Sequence, residues 1–299
     1  MLRTPLRHSE WLSAAARADV YLKLETLQPT FSYKIRGAWN AILAMRERGS
    51  RSALVTASAG NHGRSLAHAA HVEGLSVRVY VPATTPRTKL EAIRAAGADV
   101  RTCDDYDDAE RQAQDHARQS GATYISPYSH PDVIAGAGTV ALEILEDLAG
   151  INAIVVPVGG GGLISGVAIA ADGSGAAVWG VEAEASCPFT TGLAAGRIVP
   201  ITVAPTLADG LAGNLDPHTI TFDIVRQLVE TIAVVREDDI RAGIRGMLAE
   251  ERLVVEGAAA AAVAAVPALR LKAGPGKASR IAVVLSGANI DPETLRAII

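Results

Sequence analysis

Cysteine is almost absent from this chain of 299 residues: Cys103 and Cys187 lie far apart, with no CxxC or Cys/His spacing near either. That excludes a disulfide framework and a structural zinc site, and it fits a reducing compartment. Basic residues hold no excess. With 28 Lys and Arg against 32 Asp and Glu the net charge is −4, so the chain as a whole has no attraction to nucleic acid or to an acidic membrane. Long apolar runs are missing as well. Residues 1–11 are polar and charged where a signal segment would be apolar. The longest small-apolar run, residues 257–269, is mostly alanine, follows Glu256 and contains Pro267. It is too short to span a bilayer and predicts a buried helix, and the expected location is the cytoplasm. Aromatics make up only 4%, which leaves no landmark from which to size a ligand pocket.

What the chain does have is apolar content, 49% of residues, enough for a large core in one big or two modest domains. Short β-branched runs at 53–56, 77–81, 100–103, 153–158, 178–181 and 281–285 predict strands buried on both faces. Amphipathic stretches of helical length lie at 35–48, 64–72, 87–96, 107–119, 133–148 and 240–251, and glycines at 49, 74, 97, 121 and 150 stand where helices would end. The alternation predicts an α/β fold with mostly parallel sheets covered by helices. A regular βα series at 53–130 suggests a small domain inserted into a larger one made of 1–52 and 131–299.

Ligands of open parallel sheets sit beyond the carboxyl ends of strands. Three predicted strand ends carry unusual chemistry. Ser58-Ala59-Gly60-Asn61-His62-Gly63 follows the first, Gly159, Gly160, Gly161 and Gly162 follow the fourth, and Ser286-Gly287-Ala288-Asn289 follows the last. Four glycines without Cβ atoms let backbone amides wrap an anion at the start of the next helix, and a phosphate is the expected ligand. Their spacing does not fit a dinucleotide fingerprint, because Ile164 stands where its last glycine belongs, and no GKS or GKT follows. The residues alone also admit a flexible turn. The Ser58 segment suits a carboxylate or an ordinary helix cap. His62 and His68 lack a metal-ligand offset, and no metal is assigned to them. Lys34, in Ser32-Tyr33-Lys34-Ile35-Arg36-Gly37, falls in the first turn of a helix with Ser32 as the expected N-cap. A cation there is disfavoured by the helix dipole, which lowers an ammonium pKa and suits Schiff-base chemistry; a solvated surface lysine is the plain alternative.

These segments, with Asp132-Val133-Ile134-Ala135-Gly136, occur in one order, and from Thr4-Pro5-Leu6 to Asn289 the chain resembles the threonine/serine dehydratase and serine racemase family. The resemblance implies the fold-type II architecture of pyridoxal-phosphate (PLP) enzymes, like the tryptophan synthase β subunit: two open, twisted, mostly parallel sheets flanked by helices. It implies that Lys34 holds PLP as a Schiff base and later moves the Cα proton. Tyr33 would pack on the ring, where the family more often has Phe. Gly159, Gly160, Gly161, Gly162 and the Leu163 amide would cradle the phosphate, Asn61 would bond the phenolic oxygen, Ser286 would face the pyridine nitrogen, and Glu256 would lie near the ring edge. Ser58, Ala59, Gly60, Asn61 and His62 would surround an amino-acid substrate, and Asp209 and Gly210 would line its β-substituent side. The small domain would close over the substrate. The family further implies a homodimer or higher homo-oligomer.

The resemblance also has departures. Racemases of the family have a second serine where Ala59 stands, and alanine has no proton to give from that face, so elimination of a β-hydroxyl is expected well above racemisation. Cation-binding members use a carboxylate matching Glu182 and an aspartate six residues on; Pro188 stands there. Ala137 replaces a usual glutamine. The chain ends thirteen residues after Ser286, so no carboxyl-terminal regulatory domain and no isoleucine inhibition are expected. The alternatives are a PLP-dependent β-replacement enzyme, an amino-acid racemase, a non-catalytic homologue, and a nicotinamide-dependent oxidoreductase using the glycine loop. The β-substituent stays open among threonine, serine, 3-hydroxyaspartate and phenylserine.

Overall fold

A computed structural model describes residues 1–269 and 279–299. The strands in chain order are β1 (Leu6–His8), β2 (Asp19–Lys23), β3 (Leu54–Ala57), β4 (Val77–Pro82), β5 (Asp99–Cys103), β6 (Thr123–Tyr124), β7 (Ala153–Pro157), β8 (Ala177–Ala183), β9 (Thr231–Val235) and β10 (Arg280–Val284). The helices are α1 (Glu10–Ala16), α2 (Lys34–Glu47), α3 (Asn61–Val72), α4 (Arg87–Ala95), α5 (Tyr106–Ser120), α6 (Pro131–Asp147), α7 (Gly162–Ala171), α8 (Pro188–Ala195), α9 (Thr221–Leu228), α10 (Glu237–Ala249), α11 (Gly257–Ala265) and α12 (Pro292–Ile298). The chain divides into two compact units, one of residues 34–137 with Met1, the other of residues 2–33 and 138–299.

The smaller unit is built on a fully parallel sheet of order β5-β4-β3-β6. Alternate residues of its strands feed two cores. Leu54, Val77, Val79 and Val81 pack with Ile35, Ile42 and Leu66. Val55, Ala57 and Tyr80 face the opposite way, onto Ala109 and Ala113 of α5. Burial on both faces fails at β5: this edge strand shows exposed Asp99, Arg101 and Thr102, and it is polar because only one neighbour covers it.

The larger unit carries the order β1-β2-β10-β7-β8-β9, parallel except for β1. Its core joins Val20, Leu22, Val155, Val181 and Val283 to Ile240, Ile244 and Met247 of α10. The alanine run is a helix buried on every side, α11, and it stops at Ala265, just before the Val266–Ala268 turn that contains Pro267. Its small side chains permit close approach: a Cβ on Gly243 of α10 would lie 2.9 Å from the Ala260 carbonyl oxygen. Gly49, Gly74, Gly97, Gly121 and Gly150 all have positive φ, as helix ends require. Elements with weak patterns escaped the sequence reading: β1, β2, β6 and β9, and the short helices α1, α8, α9 and α12.

Candidate active site

Strands β2, β10 and β7 are parallel neighbours in one sheet, so the loops beyond their carboxyl ends adjoin. The segment before Lys34 and the 286–289 loop are zipped together. The Tyr33 amide donates to the Ser286 carbonyl at 3.0 Å, the Ala288 amide to the Phe31 carbonyl at 2.9 Å, and Asn289 Nδ2 to the Thr30 carbonyl at 2.9 Å. Ser32, expected to cap α2, lies one residue too far out for that; the helix starts at Lys34, and Ser32 instead bridges to Gly287. Glu256 joins them from the start of α11. Its amide donates to the Gly287 carbonyl at 3.0 Å, and a Cβ on Gly287 would lie 2.5 Å from its Oε1. Burial, with the Glu256 charge adding to it, pushes the Tyr33 phenol up, so it stays neutral. Tyr33, Glu256 and Ser286, three residues the sequence singled out, therefore meet.

The glycine loop leaves the neighbouring strand end, after β7. Gly161 has φ +85°, and a Cβ on it would lie 2.5 Å from Phe189 Cζ and 2.9 Å from Thr221 Oγ1. A Cβ on Gly159 would lie 3.0 Å from the Gly210 carbonyl oxygen, which brings the Asp209–Leu211 turn against the loop. Thr221 Oγ1 donates to the Gly160 carbonyl at 2.8 Å. The following helix, α7, has no side chain capping its first amides, and three residues into it the Ser165 hydroxyl is buried with no hydrogen-bond partner. Phe189 and Thr221 brace the loop and were missed by the sequence reading. Nothing local marks them, since both come from short helices far along the chain.

The remaining sequence-chosen residues lie in the smaller unit. Lys34 Nζ donates to the Pro127 carbonyl at 2.7 Å. Beyond β3, the 58–63 loop folds tightly on itself: a Cβ on Gly63 would run into the Ser58 carbonyl oxygen. Gly60 caps α3 without a side-chain bond, so the first amides of that helix point into the loop, and the space beside Gly60 is open. Ser58, Ala59 and Asn61 are half-buried. His62 is buried, neither ring nitrogen has a hydrogen-bond partner, and its pKa falls to about 3, from desolvation first and the Lys34 charge second. The Ile125 backbone opposes the fall. The His62 ring is therefore uncharged.

The family pattern of the pyridoxal-phosphate dependent enzymes matches residues 1–287. The chain belongs to that family. The L-threonine ammonia-lyase of Thermotoga maritima is 39% identical over 300 residues, covering 99% of this chain and 74% of its own length. Among solved structures, threonine deaminase isoform 2 of Solanum lycopersicum aligns with TM-score 0.90 and 33% identity, over 99% of this chain and 87% of that one. Maize serine racemase aligns with TM-score 0.91 and 31% identity, over 99% and 91%. Pyridoxal phosphate is the cofactor, and the fold is the fold-type II class expected.

The residues fit that cofactor. A side-chain-free loop entering an uncapped helix suits a phosphate, and the lone Ser165 hydroxyl is a spare donor in the same helix. Glu182, matched by sequence to a cation site, is buried and otherwise engaged. It accepts hydrogen bonds from the amides of Phe189 and Thr190 and from Thr190 Oγ1, at 2.8, 2.9 and 2.6 Å, and so holds the start of α8. Burial raises its pKa while those bonds oppose the rise. Among the described residues no group of three His, Cys, Asp or Glu is arranged for a metal ion, and no helix is long and apolar enough to cross a membrane.

Proposed function

We propose that this enzyme removes the amino group of a β-hydroxy amino acid, threonine or serine first among them, by β-elimination that yields a 2-keto acid and ammonia. The observation that carries the reading is the gathering of Tyr33, Glu256, Ser286 and the glycine loop at adjacent strand ends, with Lys34 the next residue after Tyr33. When bound, the cofactor supplies an electron sink for the Cα electrons. The Lys34 amine would hold the cofactor through its aldehyde carbon; displaced there by the substrate's own amine, the freed Lys34 amine would be the base for the Cα proton. The 58–62 loop at the start of α3, with Ser58 and Asn61, would hold the substrate carboxylate. Ser286 would offer a neutral hydroxyl to the ring nitrogen without enforcing a proton there, which suits loss of the β-hydroxyl. Gly210 and Asp209 sit by the glycine loop, where they would line the side of the leaving group. The released enamine becomes an imine and hydrolyses.

A racemase reading draws support from the likeness to serine racemases, but it needs an acid on the face opposite the lysine, and Ala59 supplies none. The larger functional picture is of a cytoplasmic homodimer or larger homo-oligomer; unpaired Cys103 and Cys187 suit a reducing compartment. A panel of β-hydroxy amino acids assayed for keto-acid release tests the reading. Release from threonine or serine is expected, with L-to-D conversion at least about tenfold slower, and Lys34→Ala is expected to lower kcat by about 10⁴-fold or more. Comparable rates of racemisation and release, or a fully active Lys34→Ala, would overturn it.

A further inference from the structure

The motif Asp132-Val133-Ile134-Ala135-Gly136 has no role in the chemistry above, yet it lies against the helix that begins with Lys34. A Cβ on Gly136 would lie 2.5 Å from the Arg36 carbonyl oxygen and 2.7 Å from Gly37 Cα, and one on Gly37 would lie 2.6 Å from the Val133 carbonyl oxygen. The first turn of α2 and the first two turns of α6 therefore meet main chain to main chain. No rotamer change can absorb an added methyl there, because the atoms it meets are backbone. The second turn of α2 is fastened to the same place, with Asn40 Nδ2 donating to the Asp132 carbonyl at 2.7 Å. Farther along, Arg48 pairs with the Asp132 carboxylate at 2.7 Å. The other end of the lysine is held by the same stretch, through the 2.7 Å bond from Nζ to the Pro127 carbonyl.

We infer that residues 127–136 are the seat of Lys34, and that Gly136 is a positioning residue that sets where its amine can reach. A long lysine side chain has four freely turning bonds, so its amine is placed only if both the helix beneath it and the nitrogen itself are located. Segment 127–136 does both. An alanine at 136 shifts the first turn of α2, and a displacement of the order of 1 Å at a reacting group costs about a hundredfold in rate. The inference rests on the reading of Lys34 as the cofactor-bearing residue.

Gly138 provides the comparison. It lies on the same helix, and its Cβ would come 2.8 Å from the Gly166 carbonyl oxygen, an equally tight packing but against α7. Gly136→Ala and Gly138→Ala are each examined for thermal stability, for affinity towards pyridoxamine phosphate, and for the rate of attachment of pyridoxal phosphate to Lys34. Pyridoxamine phosphate bears an amine in place of the aldehyde and cannot condense with a lysine. Attachment joins the amine to the aldehyde carbon as C=N with loss of one water and no change of oxidation state. Borohydride then donates hydride to fix the bond for peptide mass spectrometry. Both variants are expected to lose stability. Gly136→Ala alone is expected to slow attachment at least about tenfold, with pyridoxamine phosphate affinity within about twofold of the parent. Attachment unchanged in Gly136→Ala, or slowed equally in both variants, would overturn the inference. Should Gly136→Ala fail to fold, Asn40→Ala removes a tie without adding volume: attachment about threefold slower or more supports the seat, and an unchanged rate sinks it. A parent protein with no pyridoxyl adduct on Lys34 would defeat the functional reading itself, which is a separate result.

Discussion

The loops after β7 and after β3 do the same structural task by opposite means. Each leaves the carboxyl end of a parallel strand and enters a helix whose first amides no side chain caps. At 159–162 two of the glycines are held to that type by the protein, since Cβ atoms at 159 and 161 would meet Gly210, Phe189 and Thr221. At 58–63 only Gly63 is required in that way; Gly60 faces open space and the remaining positions keep side chains. The first loop is a cast whose shape is fixed from outside, as suits a phosphate that is the same in every turnover. The second leaves room and functional groups, as suits a substrate.

If that contrast is right, the largest effect comes from filling the cast. Gly161→Ala would combine a positive φ, costing an alanine about 1–2 kcal/mol, with a methyl pressed into Phe189 and Thr221, costing about 1–3 kcal/mol more. Pyridoxal phosphate affinity, measured by titrating the apoprotein, should fall by about a hundredfold or more. Near-parental affinity would mean that the loop is pliant and the comparison false.

Much of this architecture was legible in the sequence, for a physical reason. Central strands such as β3, β7 and β10 are buried on both faces and must be apolar throughout, and glycines at positive φ have no substitute, so both leave signals that need no alignment. Edge elements, β5 with its exposed arginine and threonine or β9 with its exposed Thr231, carry no such demand and read as polar or not at all. The site divides the same way. Lys34, the four glycines and Ser286 are conspicuous by type and place. Phe189, Thr221 and Pro127 act through a ring edge, one hydroxyl and a main-chain carbonyl, and only their folded neighbours reveal them. His62 was chosen as part of a carboxylate site, but a single sequence does not tell a ring turned to solvent from one turned to the core.

That buried ring gives the next effect. With its pKa near 3 in the folded chain against an ordinary 6.5, His62 stays neutral folded and takes a proton when unfolded anywhere between those values. Its contribution is fully present above pH 6.5 and is lost as pH falls towards 3, by about 2 kcal/mol between pH 7 and 5. His62→Phe should remove that part of the slope when urea midpoints are compared at the two pH values. Because neither ring nitrogen is hydrogen-bonded, the change should cost little at pH 7. Parallel slopes would show that the ring reaches water and that the loop is looser than described. A smaller effect, from the same loop, is expected of Gly60→Ala. The methyl enters open space, so stability and cofactor affinity should stay within about twofold while the substrate KM rises by roughly tenfold. A loss of cofactor affinity instead would erase the distinction between the two loops.

The finest test asks whether the cast is held by shape alone or also by a bond. Thr221 is fully buried, donates to the Gly160 carbonyl at 2.8 Å, and lies 2.8 Å from the Thr219 hydroxyl. Thr221→Val keeps the bulk that faces Gly161 but leaves the Gly160 carbonyl without that donor, a loss of about 1 kcal/mol, or roughly fivefold in cofactor affinity. Thr221→Ser keeps the hydroxyl and gives up a methyl, so it should hold the carbonyl while relaxing the wall. If serine behaves like the parent and valine does not, the hydrogen bond orients the loop. If valine matches the parent and serine does not, packing alone shapes it, and Gly159 and Gly161 are then a matter of steric fit.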